Sequence, residues 1–280
     1  MYSVNDILDI NDKKQIMIIN NNVNNSILLI GSCRITPFLN YLINHDLFGI
    51  NYNYLCILVY NEEMKKLSED IINNEEIKNQ LFTCKYLISE YVKNFNYFNT
   101  QRLSEKCIFS IYDSFEKEII LPNWQDICLY SKDLITYKGI KNEFIQLING
   151  EMHGYDFIKI LQKVQNMELE RYYNILQKAN FPELINFIKL NLQNIRITHT
   201  FNHPTNFYFL EIFRLIIEKY FLGGPYFLPQ YIFDATKEEF LQSKEYDTKL
   251  TFYDYHYLGF RIPENYMDEI ESRNYILGFQ

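Results

Sequence analysis

The chain of 280 residues has no excess of positive charge and no long apolar run, and each absence argues against a class of protein. Lysine and arginine total 27 against 35 aspartate and glutamate residues, which gives a formal net charge of −8. Nucleic-acid-binding proteins need a basic face to contact phosphates, so we expect no nucleic acid partner. A local basic pocket for one phosphorylated cofactor is compatible with this balance. No apolar stretch reaches the roughly 18–20 residues of a membrane-spanning helix, so we expect no membrane span.

Cysteine is scarce, and its spacing is not that of a metal site or a disulfide framework. The five cysteines are Cys33, Cys56, Cys84, Cys107 and Cys128, and none forms a Cys-x-x-Cys pair. An odd number of widely spaced cysteines favours a reducing compartment and argues against structural zinc. The amino-terminal MYSVNDILDINDKK is acidic and polar, unlike a secretory signal. These features predict a cytoplasmic protein that holds no metal.

Apolar residues make up 48% of the chain, which is ample for a sizeable core. The runs SILLIG (26–31), YNYLCILVY (52–60) and CKYLISEYV (84–92) are short and largely apolar, as expected for strands buried on both faces. IRITHTF (195–201) is predicted to be a late strand. Segments with helical spacing, such as TPFLNYLINHDLF (36–48), lie between the strand signals.

This alternation predicts an α/β fold: a three-layer sandwich with a central, mostly parallel sheet. We expect residues 1–25 to form an amino-terminal extension. Residues 26–280 would form a single domain with a helical insertion at about 140–193. Right-handed crossovers would then bring the loops 31–34, 92–102 and 202–206 to the carboxyl edge of one sheet, where open α/β sheets bind ligands.

The first candidate site is the tetrapeptide Gly31–Arg34, between a buried strand and a helix. A residue on such a turn projects from the sheet edge, as in a nucleophile elbow. The amides of the first helical turn favour anions, so they would lower the pKa of a Cys33 thiol or hold an oxyanion. Arg34 would add positive charge for a thiolate or a phosphate. The alternative is that Cys33 is a small buried residue and Gly31-Ser32 is an ordinary turn.

The second candidate is the stretch THTFNHPTN (198–206). A residue before proline is pushed out of the helical region, which places His203 on a loop before a helix that Thr205 or Asn206 would cap. A histidine at that position suits a general acid or base. The alternative is a loop histidine that only bonds backbone groups. His199, within the strand, is expected to be a core or supporting residue.

Two weaker candidates complete the set. His153 is flanked by Gly150 and Gly154, which indicates either close approach to a ligand or an ordinary break between helices. The loop KNFNYFNTQR (93–102) offers Asn94 and Arg102 beside aromatic residues. It is equally compatible with sugar or phosphate binding and with a solvated loop.

Taken together, the strand followed by Gly31-Ser32-Cys33-Arg34 and the later Asn202-His203-Pro204-Thr205 before a long helix resemble the WcbI family of polysaccharide-biosynthesis acyltransferases. The resemblance covers roughly residues 26–260. In that family the first motif is Gly-Asn-Cys-Gln-like, so Ser32 and Arg34 depart from it. The resemblance implies a fold related to the SGNH (GDSL-type) hydrolases. It also implies transfer of an acyl group, here expected to be acetyl, from coenzyme A to a hydroxyl or amine of a sugar or nucleotide sugar in glycan biosynthesis.

Under this resemblance His203 and Cys33 are the expected catalytic residues. The Asp-x-x-His spacing of the hydrolases puts the acid at Thr200, which cannot serve, so a Cys–His dyad or a lone histidine base is expected. The residues expected to bind the oxyanion or substrate are Ser32, Arg34, Asn94, Asn202 and His153, and those expected to bind coenzyme A are Arg34, Arg102 and Asn206. Two alternative functions stay open: a carbohydrate esterase or deacetylase, and a non-catalytic carbohydrate-binding module. The expected partners are the sugar or nucleotide-sugar acceptor and, in addition, other glycan-assembly domains or a second copy of the chain.

Overall fold

The computed structural model describes residues 16–58, 75, 79, 84–90, 115–122, 127–200, 203–227 and 250–261. The chain divides into two compact units. Unit 1 comprises Met1–Asn123 and Ile212–Lys237, and unit 2 comprises Trp124–Glu211 and Glu238–Gln280. Because each unit is assembled from two separate stretches, neither corresponds to one continuous segment of the chain. The boundaries of a single domain at 26–280 stay a prediction.

A five-stranded sheet forms the centre of unit 1. Its strands are β1 (Ile16–Ile19), β2 (Ser26–Gly31), β3 (Asn53–Leu58), β4 (Tyr86–Glu90) and β5 (Lys117–Leu121), in the spatial order β1-β3-β2-β4-β5. The pairs β2–β3, β2–β4 and β4–β5 are parallel, and β1 pairs antiparallel with β3 at the edge. All six residues of β2 are buried, as expected for the central strand of such a sheet. The described residues therefore form a mixed α/β protein with a mostly parallel sheet.

The order of the parallel strands defines where a ligand would bind. From β2 the chain moves to β3 on one side, and it returns to β4 on the other side of β2. Ligands of open α/β sheets bind outside the carboxyl ends of the two strands at such a reversal. In unit 1 those ends are Gly31 and Glu90.

The strands predicted within 26–31, 52–60 and 84–92 are confirmed over the described residues as β2, β3 and β4, but the expected place of the late strand is wrong. Strand β6 (Thr198–Thr200) pairs antiparallel with the two-residue β7 (His203–Pro204) in a separate small sheet, with an irregularity between Thr198 and Thr200. Because β6 pairs with the residues that follow it closely in the sequence, its partner is local. The loop after β6 thus does not follow a strand of the five-stranded sheet.

The opposite, amino edge of the sheet in unit 1 is closed by aromatic side chains. These are Tyr52 and Tyr86, before β3 and at the start of β4, with Phe48 and Phe221; Phe48 and Phe221 meet edge to face at 4.8 Å. The Lys117 ammonium donates to the Tyr220 carbonyl and lies over the Phe221 ring at 5.4 Å. Tyr220 and Phe221 belong to a π-helix, Ile217–Leu222, that ends at Gly223 in the left-handed conformation. The sheet of unit 1 is thus completed by a segment from far along the chain.

The described residues of unit 2 are mainly helical. They form α2 (Ser131–Tyr137), α3 (Lys141–Ile148), α4 (Gly154–Lys178), α5 (Glu183–Asn191) and α7 (Phe252–His256), and α6 (Asn206–Ile216) begins in unit 2 and ends in unit 1. The break near Gly150 is confirmed, and Gly150 follows α3 with a φ of 74°; a second break lies at Pro182, immediately before α5. The helical stretch at about 140–193 is therefore present as α3, α4 and α5.

Buried polar groups join the helices of unit 2. The Asp254 carboxylate accepts from the Ser131 amide at 2.7 Å, the Ser131 hydroxyl at 2.6 Å and the Thr251 amide at 2.7 Å. Burial raises the pKa of the Asp254 carboxyl, and these hydrogen bonds oppose that rise. The carboxylate caps α7 and holds the start of α2 against it, which is a structural role. No helix within the described ranges is both long enough and apolar enough to cross a membrane.

Candidate functional site

The turn after β2 is built as the sequence predicts. Strand β2 ends at Gly31, residues Cys33–Ile35 form one 3₁₀ turn, and α1 (Thr36–Ile43) follows with a proline in its first turn. The Ile35 amide donates to the Ser32 carbonyl at 2.9 Å and closes the turn. The backbone of Cys33 therefore lies directly after the central strand, at the carboxyl edge of the sheet.

A buried carboxylate from the neighbouring strand holds this turn. Glu90 is the last residue of β4 and is only 2% exposed. Its Oε2 accepts from the Ser32 amide at 2.9 Å and from the Ser32 hydroxyl at 2.7 Å, and its Oε1 forms an ion pair with the Arg34 guanidinium. The Arg34 Nε–H donates to Ser32 Oγ at 3.0 Å, which closes a ring of contacts among the three residues.

The ion pair changes what Arg34 and Ser32 can offer a ligand. Arg34 is 5% exposed, and its charge is offset by Glu90 within the protein. The Ser32 amide, which was expected to stabilise an oxyanion, donates instead to the Glu90 carboxylate. In this arrangement the Ser32 amide, the Ser32 hydroxyl and the Arg34 guanidinium all bind Glu90. An oxyanion would therefore have to be bound by other donors.

Gly31 is the residue that allows Glu90 to reach the turn. A Cβ at position 31 would lie 3.0 Å from both the Cβ and the Oε2 of Glu90, and 2.9 Å from the Cβ of Ile35. The contact with Ile35 is shorter than packed carbon atoms allow and those with Glu90 are tight, so any other residue would shift the turn and crowd the carboxylate. The glycine of the motif is thus required by close packing.

His203 lies in the small sheet of unit 2 and is half-buried. It pairs with Thr200 across the β6–β7 ladder, and the amide of Thr205 donates to the Ile197 carbonyl at 2.9 Å. The Thr205 hydroxyl donates to the Arg196 carbonyl at 2.8 Å, and it accepts a long hydrogen bond from the Tyr208 amide at 3.4 Å. Thr205 therefore caps α6 as predicted, and His203 stands two residues before that cap. Cys33 and His203 belong to different units, and their proximity stays a prediction.

The structure gives two other histidines structural partners. His153 is exposed, and its Nδ1 accepts from the Tyr155 amide at 3.3 Å, which caps α4. This contact is that of an ordinary break between helices. His45, after α1, is buried against Tyr226, with its ring nitrogen bonded to the tyrosine hydroxyl. Burial lowers the pKa of His45, while the Asp46 carboxylate opposes that effect.

Several predicted site residues lie outside the described residues: Asn94, Arg102 and Asn202. For Cys33 and Asn206 the backbone is described, in the turn after β2 and at the start of α6. Among the described residues no group of three or more histidine, cysteine, aspartate or glutamate side chains could hold a metal ion.

Comparison with known proteins gives one distant structural likeness. No family model matches the chain, and no curated protein matches its sequence. A solved structure of WcbI, described as a novel polysaccharide biosynthesis enzyme, is similar over 71% of this chain and 68% of its own. That structure is the native protein without a disulfide bond between coenzyme A and one of its cysteines. The sequence identity is 12% and the TM-score is 0.42, which is a distant likeness.

The residue that sequence reasoning missed is Glu90. The sequence places it within the third predicted strand, where its neighbours Leu87 and Ile88 are buried. A carboxylate in a buried strand needs a cationic or hydrogen-bonding partner, since burial of an unpaired charge is costly. That requirement, together with the arginine in the turn of the adjacent strand, was the available signal.

Proposed function

We propose that this protein is an acyltransferase that moves an acyl group, expected to be acetyl, from coenzyme A to a sugar or nucleotide sugar during glycan biosynthesis. The proposed catalytic residues are His203 and Cys33. The acceptor group is a hydroxyl or an amine, and no metal takes part in the proposed reaction. The proposal builds on the two sequence motifs and on the geometry of the turn after β2.

The observation that carries the proposal is the turn Gly31–Arg34, fixed by Glu90 at the strand reversal. A loop that only connects a strand to a helix has no need of a buried ion pair, because taking two charges out of water is costly. Here the pair lies where open α/β sheets bind ligands. The arrangement supports the idea that this turn keeps one conformation while a ligand binds and reacts beside it.

In the proposed reaction His203 takes the proton from the acceptor hydroxyl or amine. The acceptor oxygen or nitrogen then attacks the thioester carbonyl and forms a tetrahedral intermediate. Collapse of that intermediate breaks the carbon–sulfur bond and releases coenzyme A, whose sulfur recovers a proton. In a second scheme His203 first deprotonates Cys33, whose thiolate attacks the acyl-CoA thioester and releases coenzyme A; the acceptor then attacks the Cys33 thioester and frees the cysteine sulfur. We favour direct transfer, because Thr200 supplies no carboxylate to orient the histidine as in a hydrolase triad.

The reaction is tested by incubating the protein with acetyl-CoA and a panel of sugars and nucleotide sugars. We expect free coenzyme A thiol to appear only when an acceptor is present, together with an acetylated product of matching mass. Release of acetate from sugar esters without coenzyme A would identify an esterase or deacetylase instead. Sugar binding with neither reaction would identify a carbohydrate-binding module. Either result contradicts the proposed transfer.

Cys33→Ala separates the two schemes. Under direct transfer the variant should retain much of the wild-type turnover, since only the shape of the pocket changes. A covalent thioester requires the sulfur, so under that scheme turnover should fall to less than about a thousandth of the wild-type value. Steady-state kinetics with a circular dichroism spectrum equal to wild type is the measurement. Cys56→Ala, in buried β3, is the control for removing a thiol elsewhere.

A further inference from the structure

Glu90 places its carboxylate against the turn that carries Cys33, although it belongs to a different strand. It follows Ser89, which pairs with Ile30 in the parallel ladder, so the carboxyl ends of β2 and β4 are held in fixed register. From this position Glu90 accepts both donors of Ser32 and pairs with Arg34. The carboxylate is buried, and these contacts compensate for its lost hydration.

The two residues that Glu90 holds lie immediately before and after Cys33. Ser32 is fixed through its backbone amide and its hydroxyl, and Arg34 through its guanidinium. The bond from the Ile35 amide to the Ser32 carbonyl closes the same turn. One carboxylate therefore binds the backbone of the residue before Cys33 and the side chain of the residue after it.

We infer that Glu90 is a positioning residue for the Cys33 turn: it acts through Ser32 and Arg34 and sets the orientation of the turn toward the substrate. Gly31 supports this inference independently, because its missing Cβ leaves the space that the Glu90 carboxylate occupies. The inference rests on the proposed acyl transfer only for its kinetic readout.

The test is Glu90→Gln, which keeps the size of the side chain but exchanges one acceptor oxygen for an NH₂ donor. The amide oxygen of the introduced glutamine can accept from Ser32 or from Arg34, but not from both. The NH₂ group then faces the N–H or O–H donors of the other residue. We expect kcat to fall by about 10²-fold if Cys33 is the nucleophile, the usual cost of a misplacement near 1 Å, and by no more than in Cys33→Ala if transfer is direct, with the KM for acetyl-CoA unchanged in both cases. The matched control is Glu116→Gln, which removes a carboxylate at an exposed position 3.6 Å from the Lys85 ammonium and should leave kcat unchanged.

A second readout does not depend on the proposed reaction. The rate at which iodoacetamide alkylates Cys33, followed by mass spectrometry of its peptide, should rise severalfold in Glu90→Gln and stay unchanged in Glu116→Gln. Wild-type protein that transfers no acyl group would contradict the proposed function, and the alkylation rates would still decide the role of Glu90. An unchanged kcat with unchanged alkylation, or a raised KM at constant kcat, would overturn the inference.

Gly31→Ala provides a second test if Glu90→Gln fails to fold. It keeps every group of the network, but its added Cβ would lie 2.9 Å from the Ile35 Cβ and 3.0 Å from the Glu90 carboxylate, so the turn and the carboxylate must move apart; we expect the same loss of kcat and the same rise in alkylation. If this variant folds and behaves as wild type, the inference is wrong. If both variants fail to fold, it is also wrong, since a positioning role requires a folded enzyme that works slowly.

Discussion

His203→Ala is expected to reduce acyl transfer by about 10²–10⁴-fold, the range that general base catalysis contributes. Both proposed schemes need a base near neutral pH, and imidazole is the side chain suited to that task. The measurement is acceptor-dependent release of coenzyme A at saturating substrate concentrations. Added imidazole should restore part of the lost turnover if the side chain serves as a base.

The control for this prediction is His256→Ala. His256 is an exposed histidine of unit 2 whose ring lies 4.1 Å from the Phe252 ring, and it takes no part in the small sheet that carries His203. This control variant should transfer acyl groups at the wild-type rate. A His203→Ala variant that keeps the wild-type rate and melting temperature would remove His203 from the mechanism under either scheme.

Arg34→Met is expected to destabilise the protein by about 3–5 kcal/mol, the usual result of removing one partner of a buried ion pair. Methionine fills much of the same volume but cannot pair with the buried Glu90 carboxylate. Of the contacts described for that carboxylate, only those from Ser32 remain. The free energy of unfolding in urea is the measurement. Lys85→Met removes an exposed partner of Glu116 and should cost less than about 1 kcal/mol.

The double variant Arg34→Met/Glu90→Gln tests the cause of that destabilisation. With both charges removed, the amide oxygen of the introduced glutamine side chain can still accept from Ser32, so much of the lost stability should return. If the double variant is less stable than Arg34→Met alone, the cost does not come from an uncompensated charge. The physical reason given for the prediction would then be wrong, however large the destabilisation by Arg34→Met is.

Local sequence signals predicted the centre of unit 1 because they depend on neighbouring residues. The continuous apolar run of β2 and the proline after Cys33 place the strand, the turn and α1 without any knowledge of the rest of the chain. The contact between Ser32 and Glu90 spans 58 residues, and no local pattern encodes which strand lies beside β2. The turn could therefore be predicted, whereas the group that fixes it could not.

The late strand also shows that local sequence signals predict secondary structure but not which strands pair. Its residues favour extended backbone, and β6 is indeed extended at Thr198–Thr200. Strand propensity does not specify a partner, however, and the nearest extended residues, His203 and Pro204, provide one. The prediction of secondary structure was right, and the prediction of the sheet was wrong.

The contacts between α1 and residues from far along the chain have a consequence for the order in which unit 1 folds during synthesis. Tyr41 of α1 contacts Phe213 at 5.3 Å, and His45, just after α1, is bonded to Tyr226, which is made 181 positions later. Until those residues leave the ribosome, the apolar face of α1 has no cover from them. Contacts of such long range slow folding and leave nascent chains open to association through exposed apolar surface. The stretch that encodes most of unit 2 must therefore be synthesised while unit 1 is still incomplete.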